Sequence, residues 1–280
     1  MGEATFERMV EGMSSHLHGR GTESLSIVLL GAGRVATHLA PALKAAGHSL
    51  VQVWSRTEAS ARQLAEPLGV PYTTDFQTVA TDADAYIVCV ADAALPEVAG
   101  RIVDRVGEAP LFLHTAGSVG VELWQGYRVS RYGILYPLQT FSKERAVDMH
   151  EVSLFVEASD ENTLAEVDAL ARSLSGKVFR ADSKLRARLH IAAVFACNFS
   201  NAMYDVAHQL LAQEDIPFEV LLPLIDETAA KVHELAPHEA QTGPAVRGDQ
   251  AVMQRHVEAL ATNGKLQQLY TMISEYIANH

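Results

Sequence analysis

The chain has 280 residues, of which 48% are hydrophobic, and this is enough apolar material for two domains with separate cores. The formal net charge of −12 argues against binding to nucleic acid or anionic lipid, so any phosphate groups of a ligand must be held by local positive side chains. Two cysteines provide neither a metal-ligand spacing nor a disulfide framework, which is typical of a protein of the reducing cytoplasm.

The first 23 residues lack the apolar core of a signal peptide, and no apolar run reaches the roughly 18 to 20 residues that a membrane span needs. We therefore expect residues 1–23 to form an N-terminal extension. We expect the protein to be cytoplasmic, with a small-molecule substrate and no metal, nucleic-acid or membrane partner.

An apolar run from Ser24 to Leu30 leads directly into Gly-x-Gly-x-x-Ala and then into an amphipathic helix. This pattern predicts a dinucleotide-binding turn: Gly31 permits the tight turn, Gly33 lets the backbone approach a pyrophosphate, and the small Ala36 lets the helix pack on the strand. The N–H groups at the start of the helix then hold the anion. The residues predicted to bind the cofactor here are Gly31, Ala32, Gly33, Arg34 and Val35.

A second apolar strand, predicted at Leu50–Trp54, ends in Ser55, Arg56 and Thr57, with no acidic residue at its tip. NAD sites usually place Asp or Glu at this point for the ribose 2′-hydroxyl, whereas a hydroxyl and an arginine suit a 2′-phosphate. We therefore expect NADP rather than NAD. The alternative is that Arg56 is an ordinary surface residue after an ordinary strand.

Short apolar runs alternate with helical stretches up to about Arg180, which predicts an α/β fold with a Rossmann-type doubly wound parallel sheet over residues 24–181. The apolar run Ala85–Val90 predicts a strand that is buried on both faces. Its end, at Val90, Ala91 and Asp92, is expected beside the cofactor. The other strands are predicted at Val70–Tyr72, Leu111–His114, Gly133–Tyr136, Ser153–Val156 and Lys177–Phe179.

Polar residues follow two of these strands, in the segments His114–Ser118 and Tyr136–Phe141. The carboxyl ends of parallel strands face ligands in such sheets. Ser118 is therefore a candidate for binding substrate, and capping of a helix near Val119 is the alternative. His114 can equally be a core residue.

From residue 182 to residue 280 the spacing of apolar residues is helical, which predicts an all-helical C-terminal domain for substrate binding and dimerisation. Its first helix, predicted from Ser183 to Leu211, is long for a globular protein, and such helices often form a core that a second subunit completes. We therefore expect a homodimer. The helical pattern is interrupted at Pro217, Pro223, Pro237 and Pro244.

One face of the long helix carries polar residues, namely Arg186, His190, Cys197 and Asn201, with Asn198 slightly around the cylinder. His190 is the candidate proton donor or acceptor because imidazole titrates near neutral pH. Asn198 is the candidate for polarising the reacting group. The alternative is that these side chains are hydrogen-bonded in a helix interface for structural reasons.

The turn-rich segment 241–249 is predicted to be a functional loop. Thr242 can bind substrate through its hydroxyl, and Arg247 can hold a carboxylate or phosphate with two hydrogen bonds. Alternatively, Arg247 is an exposed surface charge, and Asp249 either orients it or caps the next helix.

With these motifs the sequence resembles Rossmann-like NADP oxidoreductases that carry a C-terminal helical domain of unknown function. The resemblance covers about Leu25 to His280, and its most specific motif is Thr242–Asp249. The group is distantly similar to pyrroline-5-carboxylate reductase, prephenate dehydrogenase and the 3-hydroxyacid dehydrogenases, in which a helical domain completes the site and often the dimer. A His-Pro is expected in such relatives where this chain has Tyr136-Pro137, so the resemblance carries no base to Tyr136.

We therefore expect an NADP-dependent oxidoreductase that moves a hydride between nicotinamide and a C=O or C=N carbon of a small, carboxylated metabolite. The alternative is a non-catalytic sensor in which NADP(H) occupancy sets the arrangement of the domains. A deazaflavin-linked oxidoreductase is a third option, and no residue in the sequence selects it.

Overall fold

An eight-stranded sheet organises the first two thirds of the chain. The computed structural model describes residues 24–280, so the extension predicted at residues 1–23 lies outside the described residues. The strand order is β3-β2-β1-β4-β5-β6-β7-β8, and every neighbouring pair is parallel except β6 and β7. The strands are β1 (Ser26–Leu30), β2 (Ser49–Trp54), β3 (Tyr72–Thr73), β4 (Ala85–Val88), β5 (Leu111–His114), β6 (Tyr132–Leu138), β7 (Ser153–Ala158) and β8 (Val178–Arg180).

Helices cover both faces of this sheet, which confirms the predicted doubly wound α/β fold. Ile27 and Leu29 of β1 pack in one apolar core, and Val28 and Leu30 pack in the other, because successive side chains of a strand point to opposite faces. The first core is completed by α1, α2 and α4, and the second by α3. These helices are α1 (Arg34–Ala45), α2 (Glu58–Ala65), α3 (Leu95–Val106) and α4 (Glu161–Leu174).

The rest of the described chain is helical, as the sequence predicted. The long first helix is present, but it consists of α5 (Ser183–Ala193), a π-helical segment (Val194–Phe199) and α6 (Ser200–Ala212). Three of the four prolines lie at the starts of helical segments, where proline is tolerated. The remaining helices are α7 (Leu222–Lys231), α8 (Pro237–Ala240), α9 (Gln250–Ala259) and α10 (Gly264–Asn279).

The chain divides into two compact units, one ending at Ser200 and one covering Asn201–His280. The predicted domain boundary at residues 181 and 182 stays a prediction. In the second unit, helices α6, α7, α9 and α10 contain no buried residue. Within residues 24–280, no helix is both long enough and apolar enough to cross a membrane.

Candidate functional site

The turn between β1 and α1 is shaped for the close approach of a ligand. Gly31 has φ +119°, and a Cβ on it would lie 2.3 Å from the carbonyl oxygen of Cys89, so only glycine fits. Helix α1 begins at Arg34, and Gly33 precedes it without a side chain that could accept from the first N–H groups. These N–H groups therefore remain available to an anion such as a pyrophosphate.

The tip of β2 lies beside this turn, because Gly31 N donates to Trp54 O at 2.7 Å. Ser55 is buried, whereas Arg56 and Thr57 are exposed at the start of α2. Thr57 precedes α2 without capping it through its side chain. The arginine and the hydroxyl groups at this tip suit a phosphate, as the sequence indicated.

Val90, Ala91 and Asp92 follow β4 at the same edge of the sheet. The carboxylate of Asp92 accepts a hydrogen bond from the Ser118 hydroxyl, so the segments after β4 and β5 meet there. Ser118 does not cap a helix, because the nearest helical turn begins at Val121 and is preceded by Gly120. Asp92 thus accepts a hydrogen bond from the Ser118 hydroxyl, which the sequence predicted to bind substrate.

The strongest candidate for proton transfer is the pair of Tyr136 and His190, of which the sequence identified only His190. The hydroxyl oxygen of Tyr136, near the end of β6, lies 3.2 Å from Nδ1 of the half-buried His190. The Tyr136 ring also packs on Gly117, where a Cβ would come within 2.6 Å of it. Burial is the main cause that raises the pKa of Tyr136, so this hydroxyl stays protonated at neutral pH.

Sequence reasoning assigned no role to Tyr136. The available signal was its position, because it is a polar residue near the carboxyl end of an apolar strand. The resemblance carries no role to Tyr136 because the His-Pro of the relatives is absent here, although a phenol can share a proton with a histidine from another element.

Arg186 has a structural role and is not part of a polar face open to the cleft. Its buried guanidinium bonds to the carboxylate of Glu157 on β7, to the Val119 carbonyl at 2.8 Å and to the Ser183 hydroxyl at 3.2 Å. The prediction that Arg186 shares a ligand-facing surface with His190 is therefore wrong. A buried charge must be paired, and here the pairing ties α5 to β7 and to the segment after Ser118.

His114 is a core residue. It is fully buried, and its Nδ1 accepts from the Ala116 N–H at 3.2 Å. Burial is the main cause that lowers its pKa to about 4, so the ring is neutral near pH 7.

Asn198 lies in the π-helical segment and is exposed. In an uninterrupted α-helix the eight residues from His190 to Asn198 would place them about 80° apart around the axis. A π-helical turn closes i→i+5 hydrogen bonds and therefore rotates less per residue. This brings Asn198 closer to the direction of His190 than the sequence pattern alone implied, and among the described residues no hydrogen bond joins the two side chains.

Thr242 and Arg247 belong to the second unit and are both exposed. Their loop turns at Gly243 and Gly248, which have φ +113° and +65°. Asp249 caps α9, one of the two roles that the sequence allowed it, since its carboxylate accepts a hydrogen bond from the Val252 N–H at 3.1 Å. Within the described residues, no group of three or more His, Cys, Asp or Glu side chains is arranged to hold a metal ion.

Two protein-family models match the chain. Residues 26–111 match the family described as NADP oxidoreductase, coenzyme F420-dependent, and residues 152–277 match the domain of unknown function DUF2520. Among curated proteins, none matches.

A solved structure of a proposed NADP oxidoreductase from Bacteroides fragilis is 49% identical in sequence, with a TM-score of 0.88. The alignment covers 92% of this chain and 99% of that one. The chain belongs to this NADP oxidoreductase family. The family combines a Rossmann domain with a DUF2520 helical domain, as the sequence resemblance implied.

Two of the more distant neighbours of this NADP oxidoreductase family member are reductases that share its fold. An imine reductase from Myxococcus stipitatus in complex with NADP⁺ is 16% identical, with a TM-score of 0.62 over 91% of this chain and 92% of that one. A 1-pyrroline-5-carboxylate reductase from Streptococcus pyogenes is 13% identical, with a TM-score of 0.59 over 92% and 99%.

Proposed function

We propose that this family member is an NADP-dependent oxidoreductase that moves a hydride between nicotinamide and a C=O or C=N carbon of a small, carboxylated metabolite. The observation that carries the proposal is the Tyr136–His190 pair at the sheet edge where Asp92 and Ser118 also meet. A proton donor at that edge is what a hydride transfer to C=O or C=N requires.

NADP is the proposed cofactor, and when bound it supplies the hydride from its nicotinamide ring. The turn at Gly31–Val35 would hold the pyrophosphate, and Ser55, Arg56 and Thr57 would hold the 2′-phosphate. Val90, Ala91 and Asp92 would line its other half. The supporting features are the close approach at Gly31 and the uncapped start of α1.

His190 is the proposed proton donor or acceptor. With Nδ1 carrying a proton toward the Tyr136 hydroxyl, Nε2 is the nitrogen that exchanges a proton with the reacting heteroatom. In the reducing direction the imidazolium gives its Nε2 proton to the oxygen or nitrogen as the carbon receives the hydride. Tyr136 orients the ring and stabilises this tautomer.

The remaining roles concern the substrate. Asn198 polarises the reacting group, Ser118 and Thr242 donate hydrogen bonds, and Arg247 binds the substrate carboxylate. We place the protein in the cytoplasm, where the reduced nicotinamide pool and free thiols are stable.

A homodimer is also proposed, with the second unit covered by another copy of this chain. Four helices without a buried residue leave apolar side chains uncovered, and a single soluble chain rarely exposes so many. The most exposed large apolar residues of this unit are Val220, Leu224, Val232, Val246, Met272 and Tyr276.

The first experiment titrates the purified protein with NADPH and with NADH while nicotinamide fluorescence is followed, and then repeats this with Arg56→Ala. We expect tight NADPH binding that Arg56→Ala weakens. Arg62→Ala is the matched control, because it removes a charge from α2 in an exposed pair with Glu66. If neither nucleotide binds, the proposal fails.

NADPH binding would then justify a screen of carboxylated carbonyl and imine metabolites for oxidation of NADPH. NADPH binding without turnover on any of them, together with a nucleotide-dependent change in sedimentation, would favour the sensor alternative.

A further inference from the structure

The segment after β6 contacts α1 and α2, the helices that follow the two predicted parts of the cofactor site. The His38 ring of α1 stacks on Phe141 with ring centroids 5.0 Å apart, and its Nε2 lies 2.7 Å from the Ser142 carbonyl oxygen. One residue further on, the Lys143 ammonium donates to the Gln63 side chain of α2 at 3.4 Å. The segment that carries Lys143 therefore contacts both helices, although it is distant from them in sequence.

Lys143 lines a cavity of about 220 Å³. The volume corresponds to several water molecules at about 30 Å³ each, which is room for a phosphate group. The other residues around the cavity are Ala32, Thr37, Ser60, Gln63 and Leu64.

This cavity lies between the two parts of the predicted cofactor site. Ala32 belongs to the Gly31–Val35 turn, and Ser60 lies in the first turn of α2, three residues after Thr57. The Ser60 hydroxyl and the Gln63 amide provide neutral hydrogen-bonding groups beside the ammonium.

Lys143 is half-buried as a residue. In the part of the chain that the structure describes, no carboxylate forms an ion pair with it. The Gln63 amide oxygen that accepts from it is neutral, and the contact is at the long end of the hydrogen-bond range. A cation that lines a cavity and has only a weak contact to a neutral group is suited to bind an anion.

We propose that Lys143 binds the 2′-phosphate of NADP as a second cation beside Arg56, with His38 and Gln63 as its positioning residues. This inference rests on the proposed function. The pyrophosphate is assigned to the N–H groups at the start of α1, whereas the cavity extends to the first turn of α2, the side on which the 2′-phosphate is expected.

The test compares Lys143→Met with the wild-type chain in titrations with NADPH, NADH and 2′,5′-ADP. Lys44→Met is the matched control, because Lys44 lies at the far end of α1 and donates to the Leu68 carbonyl. Losing a charge-assisted phosphate contact should raise the Kd for NADPH about tenfold and leave the Kd for NADH unchanged. The Kd for 2′,5′-ADP should rise with that for NADPH, and Lys143→Arg should retain most of the affinity.

The outcomes separate the two proposals. A wild-type chain that binds neither nucleotide overturns the proposed cofactor and this inference with it. A wild-type chain that prefers NADPH, combined with a Lys143→Met variant of unchanged preference, overturns the role of Lys143 alone. Equal losses for NADPH and NADH would also overturn it, since the contact would then not be to the 2′-phosphate. Thermal unfolding of each variant checks that it is folded.

Discussion

The buried guanidinium of Arg186 bonds to the carboxylate of Glu157, and this pair connects α5 to β7. The same guanidinium donates to the carbonyl of Val119, the residue that directly follows Ser118 in the chain. His190 lies one helical turn further along α5, so its position depends on this buried ion pair.

Glu157→Ala should destabilise the protein by about 3–5 kcal/mol, because it leaves the Arg186 charge buried without its partner. The double variant Arg186→Met/Glu157→Leu should recover much of this loss. Urea unfolding of the wild-type chain, Arg186→Met, Glu157→Leu and this double variant measures the coupling. Additive effects in this cycle would show that the pair makes no energetic contribution.

Gly31→Ala should abolish nucleotide binding and lower the free energy of unfolding by about 1–3 kcal/mol even without ligand. The cause is the 2.3 Å approach of a Cβ to the Cys89 carbonyl oxygen at a φ of +119°. Gly33→Ala is the control for stability, because its Cβ would lie 3.9 Å from the same oxygen. Equal unfolding free energies of the two variants would contradict the steric argument.

His190→Ala should lower turnover on an identified substrate by about 10²–10⁴-fold and leave the Kd for NADPH almost unchanged. Tyr136→Phe should have a smaller effect on turnover and should shift its pH profile, because the Nδ1 partner is lost. Steady-state kinetics across pH with parallel NADPH titrations distinguish the roles. Unchanged turnover of His190→Ala would remove His190 from the mechanism.

His114 should make stability depend on pH in acid. Its pKa is lowered to about 4 in the folded protein, from an ordinary value of 6.5. The unfolded chain therefore binds more protons between these values, so this contribution to stability falls as the pH drops from 6.5 to about 4. Unfolding midpoints of His114→Phe should fall less steeply over this window. An equally steep fall would assign the effect to other groups, and His280→Gln at the exposed C-terminus is the control.

Met272→Asp should shift the protein toward the monomer, because it places a charge among exposed apolar side chains of α10. Sedimentation velocity at several concentrations measures this. Thr81→Asp, at an exposed position of the first unit, should leave the oligomeric state unchanged. A monomeric wild-type chain would contradict the proposed homodimer.

The fold was largely predictable, because its signals are local. The apolar run of β4 predicts a strand that is buried on both faces, and the Gly31–Ala36 spacing after β1 predicts a turn into a helix. These signals are local because residue polarity and the conformational freedom of glycine determine the backbone structure over only a few residues. Hydrophobic periodicity also predicted the long helix. It did not predict the π-helical segment at Val194–Phe199, because a local change of hydrogen-bond register does not alter the pattern of apolar residues.

By itself, the sequence determined the α/β class, the family motifs, the candidates His190 and Asn198, and the absence of an acid after β2. Only the tertiary structure decided that Tyr136 is the partner of His190, that Arg186 is buried on Glu157, and that Lys143 reaches Gln63. These residues are separated by long stretches of chain. Their contacts depend on strand order and helix placement, which hydrophobic patterning along the sequence does not specify.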